Sequence, residues 1–95
     1  MVIKMMKVVK ITSLGCPSCI VMTKVFNEFQ EKYDFILEEY TYDHNSEFIE
    51  DHFEINHKIP TYIFYQDNKE VGRVVGENKL EEFVNLYEKY NKEDS

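Results

Sequence analysis

The sequence predicts an α/β fold: a four-stranded mixed sheet with helices on both faces, in the order strand, helix, strand, helix, strand, strand, helix. Three observations carry this. A short β-branched run passes directly into a helical repeat, a second alternating run follows that helix, and two apolar runs joined by turn residues precede a closing helix. Strands joined by a helix run parallel through a right-handed crossover, whereas the paired runs add an antiparallel edge.

The first strand is "MMKVVKIT", from about Met5 to Thr12, β-branched and ended by Ser13-Leu14-Gly15. Pro17 suits the first turn of a helix. Val21, Met22, Val25, Phe26 and Phe29 then recur at helical spacing against Lys24, Glu28 and Glu31, which carries the helix to about Lys32. Asp34 breaks the repeat. In "FILEEYTY", Phe35, Leu37, Glu39 and Thr41 share one face of a second strand and Ile36, Glu38, Tyr40 and Tyr42 the other; its two glutamates ask for an explanation. Asn45 or Ser46 can cap a short second helix with Phe48, Ile49 and Phe53 inward. "TYIFY" and "EVGRVV" flank "QDNK" as a β-hairpin that Gly76 ends. Asn78 with Glu81 reads as a capping box for the last helix, whose inner stripe is Leu80, Phe83, Val84, Tyr87 and Tyr90, before the polar tail "NKEDS".

A chain of 95 residues makes one domain with a core of its own, and it shows no internal repeat. With 43% hydrophobic and 15% aromatic residues, the 31% charged fraction reads as the solvated exterior of a soluble globule. A net charge of −7 repels phosphate backbones and anionic membranes, so nucleic acid and membrane surfaces are not expected partners. The opening "MVIKMMKVVKI" is interrupted by lysines and lacks the apolar core of a signal peptide, and no later run could span a bilayer. A cytoplasmic location is expected, with Met1, Met5 and Met6 all qualifying as initiators. Thiols stay reduced there, so a lone cysteine pair points to catalysis or metal binding rather than to a structural staple.

That pair lies in "TSLGCPSCIVMTK". Cys16 follows a strand and opens a helix, where unpaired backbone N–H groups and the positive end of the helix dipole stabilise a negative sulfur, making it the natural nucleophile. Cys19 is one turn further in and more buried, close enough to attack a mixed disulfide on Cys16 and resolve it. Other readings compete. Zinc could use the two cysteines with His52 and His57, but 32 residues separate Cys19 from His52, where finger motifs use about a dozen. His44, His52 and His57 therefore read as surface residues. Copper chaperones also place a C-x-x-C before a helix, but follow that helix with a hairpin and close on a strand. An incidental pair of core cysteines is the fourth reading.

With "CPSC" at a strand-to-helix junction and "KIPTYIFYQDNKEVGRVVG" downstream, the chain resembles the thioredoxin-fold disulfide oxidoreductases over nearly its whole length. The resemblance implies a thioredoxin-like βαβαββα domain in which Cys16 attacks, Cys19 resolves, and the two form a redox-active disulfide. It makes Pro60 of "IPT" a cis-proline facing the pair, with Ile59 pairing to an extended substrate segment, and puts Pro17, Ser18, Thr61 and Gly76 along the substrate groove. "GCPSC" is closer to the glutaredoxin "CPYC" than to the thioredoxin "WCGPC". "VVGENKLEE", however, lacks the Gly-Gly and acidic residue that hold glutathione, which favours protein substrates. The extra N-terminal strand and helix of full thioredoxins are missing, so the fold resembled is a minimal one.

One further departure concerns Lys10, six residues before Cys16, where thioredoxins usually have a buried aspartate partnered by a lysine on the next strand. Here the second position is Glu39, which gives two readings: a swapped, pKa-tuning pair beneath the active site, or two long side chains that reach solvent at the strand ends. Implied partners are disulfide-containing proteins and an upstream, thioredoxin-reductase-like enzyme, with the chain acting as a monomer. No cofactor or metal is called for, because the two sulfurs carry the electrons. The alternative is a zinc- or copper-binding module using the same thiolates.

Overall fold

The computed structural model describes residues 6–91, with side chains to residue 89. Met5 at the start of the first strand, Tyr90 in the last helix's stripe and the polar tail lie outside the side chains so described. The elements are β1 (Lys7–Thr12), α1 (Pro17–Lys32), β2 (Ile36–Thr41), α2 (Tyr42–Phe53), β3 (Thr61–Gln66), β4 (Lys69–Val75) and α3 (Leu80–Asn91). The strands form one sheet in the order β2-β1-β3-β4, with β1 parallel to β2 and antiparallel to β3.

Side chains alternate across this sheet, and each face has its own core. On one face Val8, Tyr62 and Phe64 meet Met22, Phe26 and Phe29 of α1 and Phe83 of α3. On the other, Val9, Ile11 and Ile63 meet Ile49 of α2 and Ile55. The first face is dominated by rings: Phe26 stacks on Tyr62 at 4.9 Å between centroids, and Phe83 meets Tyr62 edge-on at 5.0 Å. Phe29 lies within 6.0 Å of Phe26, Phe64 and Phe83. Such pairs add a fraction of a kcal/mol to about 1.5 kcal/mol each beyond their buried area.

The two glutamates of the second strand are explained by its place at the sheet edge. Glu38 pairs with Lys7 at 3.5 Å and Glu39 with Lys10 at 3.4 Å, both lysines coming from the neighbouring β1. Edge charge of this kind also blocks further strand pairing. The hairpin turn is two residues, Asp67 and Asn68, both with positive φ (54° and 66°), as a type I′ turn requires.

Three local expectations are corrected. The buried stripe of α1 is Cys19, Met22, Phe26 and Phe29, whereas Val21 is 48% exposed; the stripe begins one turn earlier, on a cysteine. The second helix begins at Tyr42, ending β2 at Thr41, and Asn45 marks a kink inside it (φ −137°, ψ 26°) while its side-chain amide donates to the Thr41 carbonyl at 3.2 Å. The last helix starts at Leu80, and Asn78 does not box it: its amide turns back to the Val75 carbonyl at 2.7 Å.

Because Phe29 touches both helices and the sheet, Phe29→Ala is expected to cost about 3–5 kcal/mol through lost burial and a residual cavity. Urea unfolding followed by circular dichroism measures this. Glu28→Ala, on the exposed side of the same turn, is expected to stay within about 0.5 kcal/mol of the parent.

Candidate active site

β1 ends at Thr12, and Gly15 takes a positive φ of 71° that turns the chain into α1 with nothing crowding its open side. Cys16 is then the N-cap in extended geometry (φ −98°, ψ 109°), and its Sγ accepts the backbone N–H of Cys19 at 3.2 Å. A sulfur thus takes the position usually held by a capping oxygen, and negative charge on it is met by an orphan helix N–H. Cys16 is half-buried. Cys19, on the inner stripe, is 5% exposed, and both are free thiols. Burial, reinforced by its hydrogen bond with Cys16, pushes the Cys19 thiol up to about 11, while a backbone hydrogen bond from Ser13 and, more weakly, the charge of Lys10 pull the other way.

The floor beneath the pair is made by three strands. Lys10 of β1 stands opposite Glu39 of β2 on one side and Tyr62 of β3 on the other. Its side chain is 13% exposed and packs with Nζ 5.6 Å from the Phe26 ring centroid, whereas that of Glu39 is 61% exposed. The Tyr62 hydroxyl is sealed from solvent and has no hydrogen-bond partner among the described residues. Burial holds that phenol well above its ordinary range, and the charges of Cys19, Cys16 and Glu39 add to the effect.

Loops complete the rim. The Ile59–Pro60 peptide bond is cis, and the Pro60 carbonyl accepts the N–H of Gly76 at 2.9 Å, joining two expected groove residues. Antiparallel pairing of Thr61 with Ile11 puts this turn at the same sheet end as the cysteines. Thr61 is itself buried, its hydroxyl donating to the Lys58 carbonyl at 2.6 Å, and Ile59 packs against the α2-side core. Pro17 is exposed at the first helical position, and Ser18 donates to Glu77 at 2.9 Å, linking α1 to the loop after β4. Leu14 and Ile20, on either side of the cysteines in sequence, are 71% and 66% exposed.

His44, His52 and His57 are all exposed, and two of them make contacts away from the cysteines. His52 Nδ1 bonds the Phe48 carbonyl, and His57 Nδ1 meets the Tyr42 hydroxyl beside Glu50. No group of three or more His, Cys, Asp or Glu side chains is arranged to hold a metal among the described residues.

Two contributors carry no mark in the sequence: Glu77 and Asp43. The Asp43 carboxylate accepts the Ser13 hydroxyl at 2.9 Å and the Leu14 N–H at 2.7 Å, clamping the loop that presents Cys16 to the start of α2. These bonds hold its carboxyl below the ordinary 3.8. A carboxyl lowered in the folded state stabilises the fold at every pH above its unfolded value, and the contribution disappears as pH falls through the folded value. Asp43→Ala is therefore expected to lower the urea midpoint at pH 7 and to converge with the parent in acid. Parallel stability curves across pH would show that the ionised carboxylate does not hold this loop.

The Thioredoxin family model matches residues 2–89. Among solved structures, a thioredoxin pre-protein of Schistosoma mansoni in the reduced state is 27% identical with a TM-score of 0.78, over 90% of this chain and 78% of that one. A thioredoxin of Nicotiana alata is 28% identical with a TM-score of 0.76, over 90% and 72%. Thioredoxin 1 of Thermosipho africanus shares the fold at 18% identity, with a TM-score of 0.78 over 93% and 97%. No curated protein sequence matches the chain at a significant level. With a β2-β1-β3-β4 sheet and a C-x-x-C pair capping α1, this chain belongs to the thioredoxin family of thiol–disulfide oxidoreductases.

Proposed function

We propose that the chain reduces disulfides in protein substrates through a Cys16–Cys19 dithiol/disulfide cycle. The observation that carries this reading is the asymmetry of the pair: Cys16 reaches the surface at a helix cap, and Cys19 is buried one turn behind it. Cys16 thiolate attacks one sulfur of the substrate disulfide, forming a mixed disulfide and expelling the first substrate sulfur as a thiolate, which takes up from water the proton Cys16 had given up. Cys19 then attacks Cys16 Sγ, the mixed disulfide breaks, and the second substrate sulfur leaves as a thiol carrying the proton given up by Cys19. Two electrons pass from the pair to the substrate.

The reducing direction is supported by the Cys19 thiol at about 11. A strong oxidant needs a reduced form stabilised as thiolate, and burial of Cys19 works against that. Exposed Leu14 and Ile20 offer an apolar surface beside Cys16, and the backbone of Ile59, at the same sheet end, offers strand-like pairing to an extended segment in the groove lined by Pro17, Ser18 and Gly76. An upstream dithiol- or flavin-dependent reductase returns the disulfide to the dithiol, and the chain acts as a monomer in the cytoplasm. Among the described residues no helix is long and apolar enough to cross a membrane.

Lys10 and Glu39 tune this cycle. The Lys10 ammonium lies close enough to favour Cys19 thiolate, and the more exposed Glu39 moderates it. Lys10→Met is expected to raise the Cys19 thiol further and to slow closure of the disulfide; an unchanged closure rate would remove Lys10 from the cycle.

The direct test is reduction of insulin disulfides with dithiothreitol as electron source. The parent is expected to accelerate it and Cys16→Ser to abolish the acceleration. Cys19→Ser is expected to hold substrate proteins as mixed disulfides on Cys16. A parent that fails to reduce insulin, while its purified reduced form retains stoichiometric zinc or copper, would replace this reading with a metal-binding one.

A further inference from the structure

Residues 54–58, between α2 and the Pro60 turn, belong to no strand or helix, yet side chains from elsewhere hold their backbone in place. Glu54, Asn56 and His57 take positive φ, at 48°, 54° and 61°, a region that residues other than glycine enter at a cost. The Glu50 carboxylate, one turn before the end of α2, accepts the Asn56 N–H on Oε1 at 2.9 Å and the His57 N–H on Oε2 at 2.8 Å. Arg73 of β4 donates to the Phe53 and Glu54 carbonyls at 2.9 and 3.4 Å. Lys58 is tied at both backbone groups, its N–H to the Ile55 carbonyl at 3.1 Å and its carbonyl to the Thr61 hydroxyl at 2.6 Å. The Pro60 carbonyl in turn holds Gly76. Between these bonds, Ile59 has neither its N–H nor its carbonyl paired among the described residues.

The Glu50 carboxylate is itself held by Tyr42, whose hydroxyl donates to Oε2 at 2.8 Å and lies against His57 Nδ1. Tyr42 opens α2 beside Asp43, which bonds Ser13 and Leu14 on the Cys16 side. The first turn of one helix thus reaches both loops that flank the sulfurs. We infer that Glu50 is a positioning residue for protein substrates: it sets the turn before Pro60 so that the open backbone of Ile59 meets an extended segment whose cysteine is joined to Cys16. This rests on the dithiol reading of the pair and deepens it. The feature read is peptide backbone beside the substrate disulfide, not the disulfide alone. Glu50 acts through the turn and takes no part in the sulfur chemistry; a carboxylate suits the task because its two oxygens accept three donors that no nearby carbonyl takes.

Glu50→Gln keeps the size of the side chain but offers one acceptor oxygen in place of two, and its amide sets a donor against a donor. Amide hydrogen exchange followed by NMR reads the turn with no substrate present. Exchange at Asn56 and His57 is expected to rise about tenfold in Glu50→Gln, the scale of a lost hydrogen bond to a charged group. Steady-state reduction of insulin then reads the role: KM is expected to rise about fivefold with kcat within about twofold of the parent, the mark of lost substrate binding. Thiopyridone release from 4,4′-dithiodipyridine, a disulfide with no peptide backbone, is expected to change less than about twofold. Tyr42→Phe, which keeps both N–H bonds to the carboxylate and removes only the hydroxyl, is expected to move the exchange and the insulin KM the same way by about twofold. Unchanged exchange at Asn56 and His57, an insulin KM at the parent value, or equal slowing on both disulfides would overturn the inference. Failure of the dithiol reading is told apart from these, because it shows in the parent chain as an inability to reduce insulin.

Discussion

The seating of one stripe of α1 on the sheet is the constraint from which the rest of this structure follows. Cys19, Met22, Phe26 and Phe29 form a single buried line along the helix. Its lower part is locked by Phe26 on Tyr62 and by Phe29 among Phe64 and Phe83, a set of contacts that admits little rotation or sliding. With the helix so fixed, two cysteines three residues apart cannot be equivalent. The second falls on the buried line and the first falls at the cap, and their different chemistry is a consequence of helix geometry before any charge is considered.

The electrostatics of the site are an outcome of sheet order. β2 lies at an edge, so its glutamates stay hydrated on one side while reaching the lysines of β1 on the other. Those lysines alternate across β1, Lys7 toward the face carrying Tyr65 and Lys10 toward the face carrying Phe26. Only Lys10 is therefore placed on the α1 side, and its 13% exposure against the 61% of Glu39 makes the pair lopsided. The positive charge lies inward and the negative one outward, which favours a thiolate in the core more than a symmetric pair would.

Much of this was legible in the sequence because it depends on local periodicity. The element order, the hairpin turn within Gln66-Asp67-Asn68-Lys69 and the placement of Cys16 at a helix start all follow from patterns a few residues long. Val21 fits the helical apolar spacing, yet the buried line begins on Cys19, whose small side chain packs as a hydrophobe, and leaves Val21 outside. Asn45 signals a helix start and does interrupt the helix, but Tyr42 had already begun it. Asp43 and Glu77 have no signature in the sequence because each acts through a partner far away in the chain, Ser13 and Ser18, and such hydrogen bonds leave no local pattern.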